Sequence, residues 1–181
     1  MPDVHLNIEV PLDDGTTPVV AHDGMQTIRT SHTYQADGFS TFHNASCLQE
    51  PKFQEAYELG VKSGHTLTAP GQELHCEWCV HQYIWAASHC NNLEGDFVEC
   101  GVKTGIFSLA IMKYLNWNSI DKDFWLFDFF EGCPADQYTA NEIANGVDKI
   151  HEKSYYDCYD LAKKNFAPWS RAKLVKGRVS R

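Results

Sequence analysis

Apolar positions in this chain fall into two patterns, short runs that read as strands and one-faced repeats that read as helices. Residues 96–102 carry Phe97, Val98 and Val102 behind the punctuation of Gly95, which predicts a short buried strand. A glycine-bearing turn follows, Gly101-Val-Lys-Thr-Gly105, and then an apolar run over 107–115 that predicts a helix. A polar loop over 116–123 leads to Phe124-Trp-Leu-Phe-Asp128, a second buried strand ending in an acid.

The flanks extend the pattern. Pro51 suits a first helical turn, Phe53, Ala56, Tyr57 and Gly60 share one face, and Gly60 ends that helix. Ser63-Gly64 and Ala69-Pro-Gly71 form a break. The longest predicted helix covers 73–92, with Cys76, Val80, Tyr83, Ile84, Ala87 and Cys90 on its inner side. After a turn at Glu131-Gly-Cys-Pro134, residues 141–153 read as weakly helical. Residues 156–165 read as a better helix with Tyr159, Leu161 and Ala162 inward, ended by Pro168, and 172–177 as a third strand. The order β-α-β-α-β predicts an α/β fold with a Rossmann-like parallel sheet, its crossovers right-handed. The expected division is an irregular arm over 1–38 with a short strand near 4–10, a helical N-terminal extension over 39–94, and the first half of the sheet domain over 95–181.

Composition narrows the function. At 181 residues and 43% hydrophobic, the chain has the means for one substantial core. A net charge of −9 argues against nucleic acid or an anionic membrane surface as the main partner. No run approaches the roughly 20 apolar residues of a membrane span, and Met1-Pro-Asp-Val-His opens with no secretion signal, so a cytoplasmic protein is expected. Seven irregularly spaced cysteines fit reduced thiols better than a disulfide frame. Cys76 and Cys79, with His75, His81, His89 and Cys90 nearby, raise zinc, but no second C-x-x-C exists and buried thiols are the preferred reading. Cys100 is expected to pack in the core, with a nucleophilic role as the alternative.

The chemistry concentrates at Glu99-Cys-Gly-Val-Lys-Thr-Gly105. A strand, a glycine turn and a helix N-terminus expose backbone N–H groups to a ligand. The dinucleotide pattern G-x-G-x-x-G is absent; an acid followed by glycine instead suits a ligand with a cationic end, such as the methionine moiety of S-adenosylmethionine. Asp128 stands where such a sheet holds ribose hydroxyls. The alternative is a tight structural turn with one buried acid.

Gly95-Asp-Phe-Val-Glu-Cys-Gly-Val, the helix ending at Leu115, Phe124-Trp-Leu-Phe-Asp-Phe-Phe-Glu-Gly132, Asn165-Phe166 and Leu174-Val-Lys-Gly177 together resemble the macrocin O-methyltransferase (TylF-like) family over about residues 40–180. The resemblance implies a class I methyltransferase fold that uses S-adenosylmethionine and a divalent cation, usually magnesium, to methylate a hydroxyl of a sugar or other natural product. It implies a cofactor site formed by Glu99, Cys100, Gly101, Val102, Gly105, Asp128 and Gly177. Glu99, Gly101 and Gly105 would line the methionine end, Asp128 the ribose and Gly177 the adenine. The family's metal ligands and catalytic base follow a fourth strand, and no residue here matches them. The fold is therefore expected to be truncated after the third strand, with no catalytic residue assigned. The rival readings are a non-catalytic cofactor-binding or interaction remnant, and a nicotinamide-dependent oxidoreductase. Homo-oligomerisation is left open by an unpaired sheet edge.

Overall fold

The computed structural model describes residues 7–8, 19–21, 28–29, 32–65 and 73–177. The chain divides into two compact units, Met1–Glu50 and Pro51–Arg181. In the first, β1 (Asn7–Ile8), β2 (Val19–Ala21) and β3 (Ile28–Arg29) pair antiparallel. Most of the arm expected over 1–38 lies outside the described residues, as does the Ala69-Pro-Gly71 break. A hairpin follows, β4 (Tyr34–Ala36) with β5 (Phe39–Thr41). Its two-residue loop, Asp37-Gly38, has φ of 59° and 70°, the doubly left-handed turn whose twist matches that of paired strands.

The second unit carries the sheet. α1 (Pro51–Val61) buries the expected face of Phe53, Ala56, Tyr57 and Gly60. α2 (Glu77–Cys90) begins four residues later than its pattern predicts. The Tyr57 hydroxyl explains the delay: it donates to Leu74 O and accepts from Cys76 N, holding 73–76 out of the helix. Tyr83 and Cys90, expected inward on α2, are exposed; Val80, Ile84 and Ala87 form its buried stripe.

β6 (Phe97–Cys100), α3 (Ile106–Leu115), β7 (Phe124–Asp128), α4 (Ala140–Ala144), α5 (Val147–Ser154), α6 (Tyr159–Phe166) and β8 (Ala172–Lys176) complete the order. The three strands form a parallel sheet in the order β6-β7-β8, with β7 central. The architecture is the expected α/β, Rossmann-like one. Both crossover helices cover the same face, since Phe166 of α6 lies against Gly105 at the start of α3.

The strands are not buried on both sides, as their apolar runs had implied. Phe97, Glu99, Phe124 and Leu126 face the helices, whereas Val98, 61% exposed, and Cys100 look the other way. Cys100 is thus a surface thiol and not a core one. On the covered face Trp117 is fully buried, edge-on to Phe97 with ring centres 5.0 Å apart and 5.2 Å from Phe124. Such aromatic contacts add about 0.5–1.5 kcal/mol each beyond simple burial. At the strand N-termini, Asp96 accepts from Asp123 N and Trp125 Nε1, fixing the β6–β7 register. No helix of the described residues is long and apolar enough to cross a membrane.

Candidate cofactor site

The C-terminal ends of β6, β7 and β8 converge on the glycine turn. Gly101 N donates to Phe127 O at 2.9 Å, carrying the β6–β7 ladder one residue past the strand. Gly101 then takes φ +90°, and a Cβ there would meet no atom within 4 Å, so the turn presents open backbone. Lys103 is also left-handed, at φ 50°, which is uncommon outside glycine, asparagine and aspartate. Its N–H donates to Asp128 Oδ2 at 2.7 Å, while Asp128 Oδ1 accepts from Phe130 N at 2.7 Å. Gly177 N donates to Asp128 O at 3.0 Å. One aspartate therefore gathers the turn, the loop after β7 and the end of β8.

Gly105 closes the turn, its N–H on Val102 O at 2.9 Å and its φ +96°. The Phe166 ring occupies the space where a Cβ would stand. Behind the turn, Asn165 Nδ2 donates to Ser63 O and Thr104 O at 2.9 and 3.0 Å, and the buried Ser63 and Thr104 hydroxyls are 2.8 Å apart. These three polar residues tie α1, the turn and α6 together.

Of the seven residues expected to line one site, two have polar side chains that line cavities, and the structure does not bring these two into the same cavity. Glu99 lines a cavity of about 360 Å³ between α2, α3 and β6, among Tyr83, Ala87, Phe97, Phe107 and Ile111. Asp128 lines a separate one of about 260 Å³ with Lys103, Phe130, Tyr155 and Cys158. Gly101, Gly105 and Gly177 contribute backbone. Val102 is buried in the core and Cys100 points off the uncovered face, so both touch the turn through the main chain alone.

Burial pushes the Glu99 carboxyl up to about 7; Ser108 holds the rise back and the Asp128 charge adds to it. Glu99 Oε2 and Ser108 Oγ are both buried and make no hydrogen bond of normal geometry, although the hydroxyl lies near enough to favour the carboxylate. Native interiors seldom leave such atoms unpaired, so an acceptor and a hydroxyl held open beside a nucleotide-type turn fit a cationic, hydrogen-bonding ligand. Ser108 was not anticipated; its one signal is a hydroxyl inside the apolar run of α3. Lys103 adds its ammonium, 4.8 Å from the centre of the Tyr155 ring. Burial lowers the pKa of that lysine, against the pull of Cys158 and Asp128. Glu131, in the turn after β7, is paired with Lys176.

Among the described residues no group of three or more His, Cys, Asp or Glu is placed to hold a metal ion. The Cys76–Cys79 cluster has one buried and one half-buried thiol.

Among curated proteins no match is found. The solved structure of the O-methyltransferase NovP is similar to this chain at 18% identity and a TM-score of 0.42, over 55% of this chain and 44% of that one. The chain thus spans less than half the length of that relative. The family model for macrocin-O-methyltransferase (TylF) matches residues 72–170, more than half of the 181 residues and inside the stretch that carried the resemblance. The chain belongs to the macrocin O-methyltransferase (TylF) family.

Proposed function

We propose that this chain binds S-adenosylmethionine and forms the cofactor-holding part of an O-methyltransferase acting on a hydroxyl of a sugar or another natural product. The observation that carries the reading is the buried, unpartnered Glu99 Oε2 beside the open Gly101 turn. A carboxyl poised near neutrality by burial gives up its proton when a cation arrives, and the pair then satisfies both groups. Asp128 uses two acceptor positions on backbone N–H groups, and an ionised carboxylate offers about four, which leaves room for ribose hydroxyls. The Gly101 turn supplies backbone close to the ligand, and Gly177, with open space at its Cα, borders the same strand ends.

S-adenosylmethionine, when bound, supplies a methyl group activated by its sulfonium. The residues assigned here bind and orient, and no catalytic residue is assigned among the described residues. A divalent cation belongs to the family reading, but the described residues form no cluster suited to one.

The test is calorimetric titration of the chain with S-adenosylhomocysteine, and separately with NADH. Micromolar binding of the first, weakened at least tenfold in Glu99→Gln, supports the reading. Binding of NADH alone would move the chain to the nicotinamide class.

A further inference from the structure

Between β7 and α6 lies a segment that the cofactor reading leaves unused. It begins with a short helical turn, Ala135–Gln137, and enters α4 through a capping box in which Thr139 Oγ1 accepts from Glu142 N and Glu142 Oε2 from Thr139 N. On α5 and its C-cap, Asp148, His151, Glu152 and Tyr155 recur at helical spacing and line a cavity of about 390 Å³, a size suited to a small ligand. Tyr138 faces them across it, its hydroxyl 3.0 Å from His151 Nδ1. The His151 and Tyr155 rings meet edge to face at 5.1 Å.

The charges in this cavity do not balance. Three carboxylates line it, and Lys176 neutralises Glu131. Among the described residues neither Asp148 nor Glu152 has a salt-bridge partner, and Asp148 Oδ1 is buried with no hydrogen-bond donor. The Tyr138 phenol registers the excess: burial raises its pKa most, and Cys133, Asp148 and Glu152 raise it further. Carboxylates beside aromatic faces, with an acceptor left open, are what a protonated amine requires, because ring faces and carboxylate oxygens both attract a cation.

We propose that this cavity binds the protonated amine of a ring-sized ligand, with its ammonium on Asp148 and Glu152 and its body against Tyr138 and Tyr155. His151, Tyr155, Gly132 and Cys133 also line the cavity that holds Asp128, so the two spaces adjoin. An amine-bearing molecule seated here would be presented to the cofactor as the methyl acceptor; that extension rests on the methyltransferase reading, and the amine site itself does not.

The probes are benzylamine and benzyl alcohol, one ring with and without the cation, titrated into the full chain at pH 7 by ligand-observed NMR, with S-adenosylhomocysteine titrated in parallel. Benzylamine should bind at least tenfold more tightly than the alcohol, and Asp148→Asn with Glu152→Gln should erase that preference while the S-adenosylhomocysteine affinity holds. Glu152 is exposed, so Glu152→Gln alone does not threaten folding and should weaken benzylamine threefold or more. Equal binding of the two probes, or a preference that survives both substitutions, overturns the proposal. An intact amine preference without S-adenosylhomocysteine binding would uphold this site and refute cofactor binding by this chain.

Discussion

The main-chain N–H of Lys103 donates to the carboxylate of Asp128 across 2.7 Å, joining the glycine turn to the end of the neighbouring strand. The aspartate is thus a structural clamp as well as a candidate ligand for ribose. Asparagine would offer one acceptor oxygen where two N–H groups now point, and its amide would face the other donor. Asp128→Asn is expected to lose about 1–3 kcal/mol of stability, the range for one buried donor left unpaired, along with cofactor affinity. Urea denaturation monitored beside an S-adenosylhomocysteine titration reads both. Loss of affinity at unchanged stability would show that the clamp contributes nothing to the fold.

Glu99 predicts a pH dependence. Its folded pKa, about 7, lies above the ordinary value of 4.5, so between those limits the folded chain holds a proton that the unfolded chain has released. Stability from this group is therefore greatest below about pH 4.5 and falls as pH rises to about 7. The fall is up to about 3 kcal/mol, at 1.36 kcal/mol per unit. Glu99→Gln should be more stable than the parent at pH 8 and not at pH 4.5. The comparison is made as the difference between two denaturation series, so that other carboxylates cancel.

The same proton predicts a signature in binding. Pairing with the ligand's ammonium group favours ionised Glu99, so affinity for S-adenosylhomocysteine should rise between pH 6 and 8 and that rise should vanish in Glu99→Gln. Calorimetry in buffers of different ionisation enthalpy would reveal the released proton directly.

Gly105 is constrained twice, by φ +96° and by the Phe166 ring. Gly105→Ala should cost about 2–5 kcal/mol, combining about 1–2 for a left-handed β-carbon with about 1–3 for overpacking. Adding Phe166→Leu should recover the packing part alone. A full recovery in thermal denaturation would mean that the backbone angle carries no strain.

β6 pairs only with β7 among the described residues, and Val98 stands exposed upon it. Open edges of this kind template further strands. The chain is expected to elute from size exclusion earlier than its monomer position at tens of micromolar, and Val98→Lys to bring it back. A parent that elutes as a monomer at all concentrations would contradict this.

Much of this architecture was legible where one physical rule acts locally. β7 occupies the residues its apolar run predicts, and α1 buries its predicted face, because periodicity reports which side of an element meets the core. Burial of β6 was misjudged for a related reason: an apolar run does not say whether both faces are covered. α6 starts at Tyr159 and not at residue 156, since Asp157 Oδ1 accepts from Tyr159 N and sets the first turn there. The Asp37-Gly38 hairpin was written in the sequence and passed over. The Ser63–Thr104–Asn165 tie has no such trace, because hydrogen bonds between residues 41 to 102 positions apart leave no period. Within the site, Glu99 and Asp128 could be picked out as strand-end acids, whereas their occupancy of two different cavities could not.

The strands of the parallel sheet lie side by side in the order in which they occur along the chain. Each new strand therefore adds to one already made, and the β6–β7 connection, which closes first, is the shorter of the two. Chains with such local connections fold quickly for their class, since little entropy is lost before contacts form. The glycine turn and Asp128 meet in the first of these closures, 25 residues apart. On a growing polypeptide the Lys103–Asp128 clamp can thus be complete before β8 leaves the ribosome.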